Sequence, residues 1–307
     1  MNNQLALGID LGGTNIKAVL INETGAVLEE TSVPTNDKEG VDNSWEWKQT
    51  VKELVTDFQK RTGDKITIIG LSSPGTANPD NTGILSNPNK LLGIEKFIWK
   101  DFLGFETYVL NDAHAALFAE SRLGIGRGVP NILMLTLGTG VGGGILMDGK
   151  LLQGLKGRAG HVGHISVNSD LTLDICNTPG SLERAIGEHT VKQRSYGKFG
   201  TTKDLAEAYV KGDTFAIWVW LNSIQALARG LVSLINTLSP ELVILSGGIA
   251  KAGDALLQPL QDFMEIYEWQ IDGFKTPIKF AHLGTYAGAV GAALFAMEKK
   301  NVEKLKP

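Results

Sequence analysis

"NILMLTLGTGVGGGILMDGKLLQG" (residues 131–154) is the stretch on which the fold turns. Gly138, Gly140 and Gly143 match the spacing G-x-G-x-x-G. A dinucleotide fingerprint needs a helix directly after these glycines, so that its N-terminus meets the pyrophosphate. Here they run into "ILMDGKLL", where Asp148-Gly149 is a tight-turn pair between two apolar runs. The expected plan is therefore strand, glycine turn, strand, tight turn, strand, and an NAD-dependent oxidoreductase is set aside. A Walker loop is absent as well, since no glycine is followed by a Lys-Ser/Thr pair.

The opening of the chain repeats that plan. "LALGID", "LGGT", "NIKAVLI", "NETG" and "AVLEETSV" (residues 5–33) read as strand, glycine loop, strand, turn, strand. Two copies about 125 residues apart point to duplicated α/β domains facing each other. Between and after them the pattern predicts a helix over Ser44–Lys60, with Trp47, Val51, Leu54, Val55 and Phe58 on its apolar face. Strands are expected at "KITIIGLSSPG" and "TYVLND", followed by a helix that ends at Gly124. A long helix carries the stripe Trp218, Leu221, Ile224, Leu227, Leu231, Leu234 and Leu238, and stops at Ser239-Pro240. Then come a strand "ELVILSGG", a helix from about Ala252, a strand "PIKFAHL" and a final helix from Ala287. The join is expected in the helix that starts near Ala113, which gives domains 1–115 and 116–307.

Composition narrows the class. The chain has 307 residues, 43% hydrophobic and 20% charged, with a net charge of −4. That balance is ordinary for a soluble globular protein and offers no electrostatic reason to expect nucleic acid or a membrane as partner. A single cysteine cannot form an intrachain disulfide, and the N-terminus lacks a basic n-region, so the cytoplasm is the expected setting.

A glycine turn between antiparallel strands can hold phosphate, because backbone N–H groups converge there and side chains do not block approach. Asp10 with Gly12, Gly13 and Thr14, together with Gly138, Thr139 and Gly140, reads as such a clamp; ordinary β-turns are the alternative. The strand "TYVLND" ends in a carboxylate at a helix start, so Asp112 is either an N-cap or a base able to deprotonate an attacking hydroxyl.

The motifs "GIDLGGTNIKAVL", "NDAHAALFAE", "LTLGTGVGGGILMDGKLLQG", "AGHVGHISV", "PGSLE" and "ILSGGIA" resemble, in order from Leu5 to Gly291, those of ROK-family sugar kinases. That family belongs to the superfamily of hexokinase, actin and the heat-shock ATPases. The resemblance implies an α/β fold of two actin-like (ribonuclease H-like) domains with a cleft between them, the final helix packing back on the N-terminal one. It implies a homodimer that uses ATP and Mg²⁺. Asn111 and Asp112 would bind sugar hydroxyls, with Asp112 the catalytic base, and Asp10 would orient magnesium through water. Gly247 and Gly248, after Ser246, resemble the adenosine-side loop, and Asn89 in "SNPNKL" resembles a sugar contact.

The chain departs from the family at "GRAGHVGHIS" (residues 157–166) and at "LDICNTPGSLE". The family usually reads G-E-x-G-H, with a final His that touches the sugar and also ligates a structural zinc with three cysteines. Here His161 replaces the Glu, while Asp174 and Ser181 replace two of the cysteines. Only His164 and Cys176 survive from the zinc set, so structural zinc is not expected, although His161, His164, Asp174 and Cys176 could be offered as a mixed site. His164 and Glu183 remain where the family places sugar ligands. His161 can accept one hydrogen bond and donate one, which changes the hydroxyl pattern it reads. The expected function is ATP-dependent phosphorylation of a hexose, glucose at O6 first. An N-acetylmannosamine or other N-acetylhexosamine kinase, or a silent sugar-binding regulator, is the alternative.

Overall fold

Runs of β-branched residues and leucine joined by glycine turns become antiparallel strands here, because each run is short and ends in turn chemistry. In this computed structural model, which describes residues 4–37, 45–87 and 91–304, β1 (Leu5–Leu11) and β2 (Asn15–Ile21) bury almost every apolar side chain. Next to β2 lies β3 (Val27–Pro34), half exposed along its length as an edge strand is. The helix α1 (Glu46–Thr62) buries Trp47, Val51, Leu54, Val55 and Phe58, the five positions that its periodicity marks. Beyond it run β4 (Ile66–Ser73), a short ribbon of β5 (Thr76–Ala77) and β6 (Ile84–Ser86), α2 (Trp99–Leu103), β7 (Thr107–Asn111) and α3 (Asp112–Arg122).

The second half repeats the scheme. It holds β8 (Ile132–Leu137), β9 (Val141–Met147), β10 (Lys150–Leu151), α4 (Leu182–Ile186), α5 (Val191–Arg194), α6 (Thr202–Val210), α7 (Thr214–Leu238), β11 (Leu242–Ser246), α8 (Asp254–Tyr267) and β12 (Ile278–Phe280). Among the described residues the first large sheet has the order β3-β2-β1-β4-β7 and the second the order β10-β9-β8-β11-β12. In each, the central strand is antiparallel to its hairpin partner and parallel to the strand on its other side. The same five-strand order twice over is the pair of actin-like α/β domains that the sequence predicts.

The units divide differently from the expected 1–115 and 116–307. One comprises Met1–Gly128, Gln153–Ala159 and His282–Pro307; the other comprises Val129–Leu152 and Gly160–Ala281. All of α3 stays in the first unit, because it packs against the C-terminal helix (Ala287–Lys304). Segment 153–159 returns to the same unit through His114, whose Nε2 donates to the Ala159 carbonyl at 2.9 Å. A fully buried carboxylate helps to hold the end of α3: Glu120 Oε1 accepts from the His282 and Leu283 N–H groups, both at 2.7 Å.

The long helix also differs in detail from its predicted stripe. Trp218 is 53% exposed, while Val219, Trp220 and Ser223 are buried with Ile224, Leu227 and Leu231. Trp220 fixes the rotation, since its Nε1–H donates to the Ala255 carbonyl at the start of α8 (2.8 Å). By length and composition α7 is long and apolar enough to cross a membrane, but its buried face belongs to the second unit's core. The strand after it leads into a short 3₁₀ turn (Ile249–Ala252) before α8, so the helix expected from Ala252 begins two residues later, at Asp254.

The C-terminal helix reaches its sheet through missing side chains. A Cβ on Gly8 would lie 2.0 Å from the Ala289 carbonyl oxygen, and one on Gly70 would lie 2.0 Å from that of Ala292. Backbone meets backbone there, so neither partner can yield by changing a rotamer. Gly70→Ala should destabilise the protein by about 1–3 kcal/mol through overpacking. Urea unfolding measures this, and an unchanged midpoint would contradict the contact.

Candidate functional site

In the first unit the carboxyl ends of the parallel strands carry the polar residues, where open α/β sheets bind ligands. Asp10 ends β1 and faces Ser72 of β4, whose Oγ donates to Asp10 Oδ1 at 2.7 Å. Burial pushes the Asp10 pKa up, against the opposing pull of the Ser72 hydrogen bond and of Lys17. Gly288, at the N-terminus of the C-terminal helix, lets backbone come close: a Cβ there would sit 2.8 Å from Asp10 Oδ1. A partly buried carboxylate whose pKa stays raised despite Ser72 and Lys17 suits a hydrated dication.

The loop that follows is pinned from behind. Gly12 N–H donates to the Asn15 carbonyl (3.1 Å), Thr35 Oγ1 donates to the Gly12 carbonyl (2.6 Å) and Thr35 N–H to that of Thr14 (2.9 Å). Gly13 and Thr14 are left exposed at the tip. At the end of β7 two neighbouring residues divide two tasks. Asn111, not Asp112, is the N-cap of α3: its Oδ1 accepts from the Ala113 and His114 N–H groups (3.0 and 3.3 Å), and its Nδ2 donates to the Gly75 carbonyl (2.9 Å). Asn111 is buried, whereas Asp112 is exposed in the first turn, with Oδ1 accepting from Ala113 N–H at 2.8 Å. Asn89 lies outside the described residues.

In the second unit the turn Gly138-Thr139-Gly140 is closed by Gly138 N–H donating to the Gly140 carbonyl (2.9 Å). The segment after α4 braces it: Glu188 N–H donates to the Gly138 carbonyl (2.9 Å), and His189 gives Thr139 O both its N–H (3.1 Å) and its Nδ1–H (2.7 Å). Glu183, buried in α4, accepts the Val141 N–H on Oε2 at 3.1 Å, and a Cβ on Gly140 would strike that oxygen. The histidine turn lies against the same hairpin, since a Cβ on Gly163 would be 1.9 Å from the Val141 carbonyl oxygen. Glycine turn, His161, His164 and Glu183 are thus brought together by direct packing.

A cavity of about 990 Å³ opens beside Gly138 and Thr139, with Gly248, Ile249 and Ala252 on one side and Thr202, Lys203 and Ala206 of α6 on another. Gly247 adopts φ +95°, and a Cβ there would be 2.2 Å from the Leu137 carbonyl oxygen, so this loop hugs the end of β8. The α6 wall was missed in the sequence. Its one local signal is "TTKD", a threonine cap with an acid three residues on; Thr201 Oγ1 does accept the Asp204 N–H, at 3.0 Å.

The loop after the histidines holds three groups of metal-ligating type. Ligand atoms of His164, Asp174 and Cys176 lie within 4.8 Å of one another, and His161 is outside that grouping. They do not fit the family's structural zinc. Such a site takes four ligands, mostly Cys and His, and Ser181 at the fourth position caps α4 by accepting the Arg184 N–H. Burial, with Asp174 and Glu183 nearby, pushes the Cys176 thiol up. Both Asp174 oxygens are already engaged: Oδ2 with His164 Nδ1 (2.8 Å), Oδ1 with the N–H groups of Cys176 and Thr178 (2.8 and 2.9 Å). Burial alone would raise the Asp174 pKa, but these donors outweigh it and hold the carboxyl below the usual range.

Comparison with known proteins places this arrangement. The ROK family model matches residues 6–299. A glucokinase of Halalkalibacterium halodurans is 32% identical over an alignment of 324 residues that covers 98% of this chain and 97% of the relative. An N-acetylmannosamine kinase of Escherichia coli O6:H1 is 29% identical over 299 residues, covering 95% and 98%. The crystal structure of a ROK family glucokinase from Streptomyces griseus, in complex with glucose and AMPPNP, superposes with a TM-score of 0.78 at 27% identity, covering 96% of this chain and 99% of that one.

The partly buried Asp10 makes a stability prediction with a definite sign. Its folded pKa lies above the unfolded value, so the stabilising form is the protonated one, and that contribution fades as pH rises through the folded pKa. Asp10→Asn removes the ionisation and keeps the shape. At neutral pH the variant should melt at or above the temperature of the parent by calorimetry; a clear drop would show that the ionised carboxylate supports the fold.

Proposed function

This chain belongs to the ROK family and is an ATP-dependent sugar kinase, and we propose that it phosphorylates glucose at O6 with Asp112 as general base. One observation carries the reading: Asn111 fills the helix cap, which leaves the Asp112 carboxylate exposed at the end of β7. The 6-hydroxyl proton passes to that carboxylate as its oxygen attacks the γ-phosphorus, and the bond to the bridging oxygen breaks with ADP as leaving group.

The other roles follow from the chemistry of each group. The Gly12 and Gly138 N–H groups close their own turns, and the backbone N–H groups of Gly13 and Thr14 and of Thr139 and Gly140 bind phosphate oxygens, while the cavity by Gly247 and Gly248 takes the nucleoside. Asp10 would hold Mg²⁺ through water, and that ion supplies neutralisation of the phosphate charge. Asn111, His161, His164 and Glu183 take sugar hydroxyls, as does Asn89; Glu183 commits Oε2 to Val141 and keeps Oε1 for the sugar. Asn111 has its second amide hydrogen for the same purpose. The reading includes a homodimer in the cytoplasm acting on small molecules only. Similarity to glucokinases at about a third identity supports glucose as substrate. His161, in place of the family's Glu, and the likeness to an N-acetylmannosamine kinase favour N-acetylmannosamine as the second reading.

Asp112→Asn should lower kcat by about a hundredfold or more, the scale of general-base removal, while the sugar KM changes by less than about threefold. Turnover within about tenfold of the parent, in a coupled ADP assay, would remove Asp112 as base. The same assay over glucose, mannose and their N-acetyl derivatives reads selectivity. His161→Glu should change the ranking of those sugars; a uniform loss with the ranking preserved would make His161 a loop support only.

A further inference from the structure

We propose that Asp174 is a positioning residue that does, with one carboxylate, the organising work that a metal does elsewhere in the family. The inference rests on the reading of His164 as a sugar ligand. Asp174 sits between two segments that must be held together, the turn Val162–His164 and the loop 173–179. Its side chain is wholly shielded from solvent, while that of His164 is 21% exposed. Each carboxylate oxygen has its own task, Oδ2 facing the imidazole and Oδ1 gathering the N–H groups of Cys176 and Thr178.

The same loop is folded around that residue by its backbone. Asp174 N–H donates to the Thr178 carbonyl (3.1 Å), Asn177 N–H donates to that of Asp174 (3.0 Å), and Asn177 takes the left-handed φ of +62° that closes the turn. Asparagine tolerates this conformation better than most residues. On the far side Ser166 Oγ donates to the Pro179 carbonyl (2.7 Å) and Val167 N–H to that of Gly180 (2.8 Å), which ties the loop to the strand-like segment after His164. These bonds tie the loop together from within the chain.

The consequence for chemistry is a choice of tautomer. A carboxylate accepts only, so Nδ1 of His164 must carry a proton. Nε2 is then the basic nitrogen, with the Cys176 sulfur 3.5 Å away as a weak partner. A fixed ring with an unprotonated Nε2 accepts a hydrogen bond from a sugar hydroxyl in place of the weak sulfur partner, and a carboxylate behind the ring strengthens that acceptor.

Three measurements on the full-length protein test this. Elemental analysis should find well under one zinc per chain, and nitrogen-15 chemical shifts should report His164 protonated at Nδ1 when neutral. Asp174→Asn should raise the sugar KM by about tenfold, with kcat and the KM for ATP within about twofold, and should move the His164 nitrogen shifts toward a mixture of tautomers. Stoichiometric zinc overturns the proposal, and so does an Nε2-protonated ring in the unmodified protein, a reading that needs no variant to fold. If His164→Ala leaves the sugar KM unchanged, His164 is not a sugar ligand and that reading fails. The nitrogen shifts still decide whether Asp174 sets the ring.

Discussion

The close approach of backbone at Gly143 and Gly163 is the constraint on which the second unit's site depends. A side chain at Gly163 would collide with the Val141 carbonyl, and one at Gly143 would meet Val162 and the Gly160 carbonyl. Because nothing occupies that space, the histidine turn lies directly on the hairpin that follows β8. Glu183 then reaches the Val141 N–H from α4, and Glu188 and His189 hold the carbonyls at the hairpin tip. Three segments far apart in the chain become one rigid surface of backbone donors, two imidazoles and a carboxylate. A turn braced in this way would not spend part of a ligand's binding energy on ordering itself.

The first unit solves a different problem, that of keeping charge where chemistry needs it. Two acids stand at or just beyond the carboxyl ends of β1 and β7, the parallel strands on either side of β4. Asp10 is partly buried and its pKa is pushed up, which costs stability at neutral pH; a nearby dication would offset that cost. Asp112 is exposed in the first turn of α3, beside the helix N-terminus, where a carboxylate is favoured. The amide of Asn111 makes this possible by taking the cap.

Much of this was legible in the residues because its causes are local. Glycine turns between short apolar runs specify hairpins, and α1 shows its buried face through spacing alone. The long helix did not, because it is apolar around much of its circumference, and the Trp220 hydrogen bond to Ala255, not the periodicity, selects the buried side. The domain boundary differs for a similar reason. The resemblance implies that the last helix packs back on the first domain, but nothing near Ala115 announces that α3 will lie against it and stay whole in that unit. The α6 side of the large cavity carried only a capping pattern, which marks a helix start and not a ligand.

By itself the sequence determined the duplicated α/β plan, the hairpin character of both glycine loops and the presence of a carboxylate at the end of the "TYVLND" strand. Those follow from hydrogen bonding and sterics within a few residues. Tertiary structure alone decided which of Asn111 and Asp112 caps the helix, which face of α7 is buried, and what holds the loop that has lost two of its cysteines. Each of these depends on a partner distant in the chain or on a choice between neighbouring groups with the same chemistry. A list of residue types contains neither, because it names the donors and acceptors without saying which of them meet.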